Sequence, residues 1–379
     1  MAFDPIEEDC MRLTIAAAQR DRVRPFEHPL VFERYIEAFR DDPAQLIQTD
    51  RDRSFHLTAK AAELIDYRIP FATTEREAIE QADCGEHYLA EAVELNPANW
   101  DAQRMLAAMR AETPSDYIAY LLQHRDEVET SCNSDAAGAT SRTDADAYAR
   151  EFFRELDRRP YLRWLAALSS QELIAGRYRK ALDTALESLA IAPLNPAGTR
   201  HTAVLALAKL EATEQELDAF LARHAGAYRV VDLMRGTGAN AEQTAASDAS
   251  THANAPWARD PWALIARMAI AYRELDYQRA STVLQTIIDT FPHAPQSLFY
   301  QAEFPDGLWG RVSVAPSSDD ELVIALSEST PLLQEGVGAP DMASFATWVG
   351  EHELVQSRID ARELEAQAAA WRANAGGAA

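Results

Sequence analysis

The chain has 379 residues, with 36 basic and 60 acidic side chains and a formal charge of −24. Such an excess of negative charge argues against a nucleic-acid backbone or an anionic membrane surface as the main partner, because both would repel it. Alanine alone supplies 71 residues, against 79 for Leu, Ile, Val and Phe together. Ala loses no side-chain entropy in a helix, so this balance predicts an all-α protein whose core depends on close helix approach rather than on bulky side chains.

Residues 1–70 read as an N-terminal helical segment. The start carries Asp4, Glu7, Glu8 and Asp9, where a secretory leader would need a basic start and an apolar stretch. No apolar run reaches the ~18 residues of a membrane span, so a cytoplasmic protein is expected. Cys10, Cys84 and Cys132 are odd in number and far apart; they signal neither a disulfide framework nor a zinc cage, and no metal or cofactor is expected.

Residues 71–235 carry the most informative pattern. Gly85, Leu89, Ala92 and Pro97 recur in spacing as Ala181, Ala185, Ser188 and Pro193, and again as Ala280, Leu284, Ile287 and Pro292. Counting from the compact first residue, the offsets are 0, 4, 7 and 12. A small side chain at offset 0 lets a paired helix approach, offsets 4 and 7 continue the same face, and proline at offset 12 stops the helix. Leu162, Leu165, Ala166, Ser169 and Leu173 form an apolar stripe before the second match, and Trp262, Ile265, Ala269 and Tyr272 form one before the third. Helix starts follow from capping-box spacing at Thr74 with Glu77, Thr213 with Glu216 and Ser318 with Glu321. Asn99 and Asn195, two residues after the first two prolines, are predicted N-caps. Such helix pairs cannot bury their faces alone, so an α-solenoid of antiparallel pairs of tetratricopeptide type is expected.

Two stretches lack a hydrophobic stripe. Residues 130–147 read as a loop within the repeats, and residues 236–255 as a flexible linker, because neither buries enough apolar surface to offset its ordering entropy. Further repeats are expected over 256–350, followed at 351–379 by a capping helix (about Glu351 to Trp371) and a tail. Tyr161, Trp164, Tyr178, Trp262, Tyr272 and Tyr277 fall at helix-pair positions and are expected mostly in the core.

The run Arg159-Pro160-Tyr161-Leu162-Arg163, then Gly176-Arg177, then Pro193 to Arg200, then Pro292-His293-Ala294-Pro295 resembles the tetratricopeptide-type proteins related to the suppression-of-tumorigenicity family, over residues 75–350. Pro193, Gly198 and Arg200 match that family's segment joining two repeats. The resemblance implies a helical-repeat fold and an interaction role, and it brings no catalytic residues.

Enzyme-like patterns are few. Val230 to Ala241, with Asp232, Gly236 and Gly238, looks like a glycine-rich loop for S-adenosylmethionine, but the first glycine of that motif is Met234 and no alternating strand–helix pattern surrounds it. His352-Glu353 lacks the second His of a helical zinc motif. Cys84 and His87 have no second ligand pair, and Asp41-Asp42 and Asp319-Asp320 read as solvated helix starts. Arg outnumbers Lys by 33 to 3, and Arg forks bind carboxylates two at a time. The resulting expectation is a non-enzymatic scaffold or adaptor that holds a partner peptide or helix in a concave groove, with Arg159, Arg163 and Arg200 as its polar contacts. An S-adenosylmethionine-dependent methyltransferase using the Asp232–Gly238 loop is the alternative, and self-association through exposed repeat faces is a third mode.

Overall fold

The computed structural model describes residues 4–23, 29–69, 72, 74–140, 147–195, 197–228, 255–299, 314–315, 317–333 and 344–359. Among them every regular element is helical and no strand occurs. The chain divides into two compact units, Ala2–Gln171 and Glu172–Ala379, with the division falling inside the stretch read from sequence as one set of repeats.

The first unit contains α1 (Pro5–Arg20), α2 (Pro29–Asp41), α3 (Asp50–Ala62), α4 (Glu75–Leu95), α5 (Trp100–Arg110), α6 (Pro114–Thr140) and most of α7 (Ala147–Ile174). Neighbours in sequence pack on one another: α1 on α2 and α3, α3 on α4, α4 on α5, α5 on α6. Leu57, Ala61, Leu89, Ala92, Ala102, Met105 and Leu106 form the core between α3, α4 and α5. At offset 0 of the first match, a Cβ on Gly85 would lie 2.9 Å from Ile65 Cγ1, so the compact residue there permits the close approach its spacing implied. Asn99 caps α5 as expected, accepting the Ala102 N–H, and its amide donates to Ser54 Oγ at 2.8 Å and Thr58 Oγ1 at 2.9 Å. Ser54 in turn donates to the Ala92 carbonyl. One buried asparagine thereby ties α3, α4 and α5 together through satisfied polar groups.

The loop expected at 130–147 is corrected in part: α6 continues to Thr140, α7 opens at Ala147, and 141–146 lie outside the described residues. Extending an established helix adds one hydrogen bond per residue fixed, and the alanines in this stretch lower the cost of doing so.

The second unit contains α8 (Tyr178–Ile191), α9 (Thr199–Lys209), α10 (Glu214–Arg223), α11 (Pro261–Arg273), α12 (Tyr277–Thr290), α13 (Ala294–Phe299), α14 (Asp319–Glu328), α15 (Thr330–Leu333), α16 (Ser344–Glu351) and α17 (Glu353–Gln356). Here α8 packs on α9, α9 on α11, α11 on α12 and α14, and α13 on α14, α16 and α17. One core runs through them, including Leu189, Val204, Leu221, Trp262, Leu284, Phe291, Leu322 and Val349.

All three spacing matches close alike. α4, α8 and α12 end at Leu95, Ile191 and Thr290, each at offset 10 from the compact residue. The next N–H then bonds the carbonyl at offset 7: Asn96 to Ala92, Ala192 to Ser188, Phe291 to Ile287. Offsets 0, 4 and 7 are buried in every case. The second and third matches agree further. α7 and α11 both end at offset −7, α8 and α12 both begin with Tyr at offset −3, and both contain 14 residues. The turns between them are the same Schellman motif: Arg177 N–H bonds the Glu172 carbonyl and Gly176 that of Leu173, as Asp276 bonds Ala271 and Leu275 bonds Tyr272. α4 shares only the closing half, because its helix already runs through the position of that turn.

The turn needs a left-handed residue at offset −5. Gly176 supplies it with φ 72°, and Leu275 adopts it with φ 62°. A non-glycine residue pays roughly 1–2 kcal/mol in this region because Cβ crowds the following carbonyl. Leu275 is 70% exposed, so little packing depends on it. Leu275→Gly is therefore expected to raise stability by about 0.5–1 kcal/mol, read as a higher denaturant midpoint. An unchanged or lower midpoint would show that the leucine stabilises the turn in some other way.

Asn195 departs from expectation. It sits at φ 54° and Gly198, at φ 73°, holds the N-cap position of α9, while Asn195 Oδ1 accepts from Thr199 Oγ1 at 2.9 Å and from the Arg200 N–H at 3.3 Å. It satisfies first-turn donors from outside the helix. Thr74, Thr213 and Ser318 are N-caps as their spacing indicated, and Thr213 with Glu216 forms the full reciprocal box. Thr49 with Asp52 forms another at α3. The expected long last helix is interrupted: α16 ends at Glu351, His352 caps α17 by accepting the Leu354 N–H, and 360–379 lie outside the described residues.

Candidate functional site

In the first unit Arg159 and Arg163 lie one turn apart on α7, where they meet Glu8 of α1. Glu8 accepts from Arg163 at 2.7 Å and 3.1 Å, from Arg159 at 3.3 Å and from Arg12 at 2.9 Å. Arg163 also donates through Nε to Asp101 Oδ1 at 2.7 Å and through its terminal nitrogen to Asp101 Oδ2, forming a bidentate pair. Arg12 reaches the Leu156 carbonyl at 2.8 Å. Burial pushes the Glu8 carboxyl up, but Arg163, Arg12 and Arg159 outweigh it and hold the group well below the usual carboxylate range. Arg159 and Arg163, expected as partner contacts, are thus both paired with carboxylates of their own chain.

Beside Glu8, Asp9 is almost fully buried and accepts from or pairs with His56 Nδ1 at 2.7 Å. Burial raises its pKa, while the hydrogen bond and charge of His56 oppose the rise. The sequence reading missed this pair, because 47 residues separate the two and neither lies in a motif. A buried carboxylate on one ring nitrogen fixes the orientation of an imidazole. In the same unit Arg104 lies near Asp66 and Tyr117, where burial raises both pKa values and Arg104 lowers them.

In the second unit Arg200, the third expected partner contact, is 2% exposed. It lies in the first turn of α9, its guanidinium 5.0 Å from the Tyr228 ring centroid and 4.0 Å from Asp260 Oδ1. His201 stacks on Trp262 with ring centroids 3.6 Å apart, and Trp262 Nε1 donates to Glu328 at 2.7 Å. Asp260 Oδ2 caps α11 by accepting the Ala263 N–H at 3.0 Å. Burial first, then the charge of Asp260, pushes the Tyr228 hydroxyl far above its usual range, against Arg200 and Arg267. Arg267 itself pairs with Asp218 and Glu214.

The aromatic expectations hold for Tyr161, Trp164 and Trp262, which are buried; Tyr178 and Tyr272 are half-buried against the core, and Tyr277 is 47% exposed. Trp164 donates to the Leu121 carbonyl at 2.9 Å and meets Trp100 edge-on. The Asp232–Gly238 loop lies outside the described residues. Among the described residues no His, Cys, Asp and Glu cluster could hold a metal ion, and no helix is long and apolar enough to cross a membrane. His352 Nε2 lies 2.9 Å from Ser281 Oγ, so both ring nitrogens serve the fold.

These observations define the class as an all-helical protein built from packed neighbouring helices. No family model matches the chain, and neither a curated protein nor a solved structure matches it.

Proposed function

We propose that the chain is a tetratricopeptide-type repeat protein, akin to the suppression-of-tumorigenicity relatives, that acts as a non-enzymatic scaffold by binding a segment of a partner protein. The observation that carries this reading is the common register of α7–α8 and α11–α12, which share helix ends, turn hydrogen bonds and buried offsets. Repeated helix pairs stack into an extended surface that suits an elongated ligand better than a single reacting centre. The contacts for such a segment are side chains other than Arg159, Arg163 and Arg200. Exposed apolar residues at repeat turns, including Leu194 and Leu275, are available to it.

The test is selection of a random peptide library displayed on phage against the full chain. The reading predicts enrichment of peptides sharing a motif, which compete with one another for binding. Failure to enrich any common motif over a scrambled-display control would count against it.

A further inference from the structure

We propose that the polar cluster around Arg200 is a binding site for a small oxyanion bearing a carboxylate or phosphate group. Arg200 is almost fully buried, yet its guanidinium donates no hydrogen bond to any described residue, and its Nε is wholly enclosed without an acceptor. The nearest carboxylate oxygen, Asp260 Oδ1 at 4.0 Å, is beyond hydrogen-bond reach. Three further enclosed groups nearby lack a partner among the described residues: the Tyr228 hydroxyl, Trp257 Nε1 and Asn195 Nδ2. They are linked to Arg200 by contact. The Tyr228 ring lies under the guanidinium, Trp257 meets Tyr228 edge-on with centroids 6.1 Å apart, and Asn195 Oδ1 accepts the Arg200 backbone N–H.

All four unmatched groups are N–H or O–H donors. Each donor left unsatisfied loses its hydration without a hydrogen bond in return, and the loss is greater for a charged group. The shared deficit specifies the missing partner as a group rich in acceptors. A water molecule brings two donors as well as its acceptor sites, so it satisfies fewer of these donors than an oxyanion does. An oxyanion brings acceptors only, and Arg200 supplies the opposite charge.

The experiment titrates the full chain with sodium phosphate and, separately, sodium acetate, against sodium chloride at equal ionic strength, following melting temperature and tryptophan fluorescence. The expected result is a saturable rise in melting temperature with at least one of the two anions beyond the chloride response. The anion that acts identifies the group as phosphate or carboxylate. Tyr228→Phe, which keeps the ring and removes only the hydroxyl, is expected to shift the titration midpoint about tenfold, whereas Arg200→Met should abolish the response. Because the latter substitution threatens folding, Tyr228→Phe carries the decision. Responses to both anions equal to that of chloride, or a wild-type midpoint in Tyr228→Phe, would overturn the assignment and leave water as the occupant.

Discussion

Replacing Arg163 by alanine is expected to destabilise the protein by about 3–5 kcal/mol, because it strips Glu8 and Asp101 of a shared partner and leaves buried carboxylates poorly compensated. Arg163 makes two hydrogen bonds to each of these residues. The exposed pair Arg76–Glu80 provides the contrast: its arginine side chain is 88% exposed, and Arg76→Ala should change stability by no more than about 0.5 kcal/mol. Denaturant midpoints of the two variants check the difference, and similar midpoints would show that the Glu8 network is dispensable.

The same network gives a pH dependence of known sign. The folded pKa of Glu8 lies below its ordinary value, so its contribution is complete above the unfolded carboxylate range and is lost as pH falls from there toward the folded value. Asp9 behaves oppositely: its folded pKa is raised, so the penalty of keeping it ionised is absent below the unfolded value and grows as pH rises through the folded one. Stability measured from neutral pH down to pH 3 should therefore fall less steeply in Glu8→Gln than in the wild type, and more steeply in Asp9→Asn.

Leu284→Ala is expected to cost about 2–5 kcal/mol, as is Leu89→Ala, since each removes a fully buried leucine and leaves a cavity that neighbouring helices fill only in part. Both occupy offset 4 of the recurring pattern and both are 0% exposed. Thr282, two residues before Leu284 on the same helix, is exposed, and Thr282→Ala should stay within about 0.5 kcal/mol. Calorimetry on the four proteins reads the comparison. A small loss at either leucine would mean that the spacing does not mark a load common to the matched helices.

Much of the helical organisation was legible from single residues because the signals were local. Pro97, Pro193 and Pro292 lack the N–H a continuing helix needs, so the ends of the helices before them can be placed from the chain alone. Leu275 hid the turn equivalent to that at Gly176, since a leucine forced to φ 62° leaves no compositional trace. Residues 130–147 read as a loop by their Ser, Thr, Asn and Asp content, but the helix before them carries on through Thr140. The surroundings of the arginines leave no local signal for a different reason. Arg163 meets Glu8 across 155 positions, and Arg200 lies beside Tyr228 and near Asp260, which follows an intervening stretch outside the described residues. A guanidinium bound for a buried ion pair and one bound for a surface have the same local sequence. The Asp9–His56 pair carries no spacing signature at all.

The recurrence of one helix–turn–helix unit 99 residues apart, at Tyr178 and again at Tyr277, is most directly tested by a crystal structure of the full chain in which both turns are visible. The account predicts the hydrogen bonds from Arg177 to Glu172 and from Asp276 to Ala271, with Gly176 and Leu275 both left-handed and both following helices ending one residue before the residue that precedes proline. A helix running unbroken through Leu275, or turns with unrelated hydrogen bonding, would contradict the repeat and remove the support for a scaffold built from it.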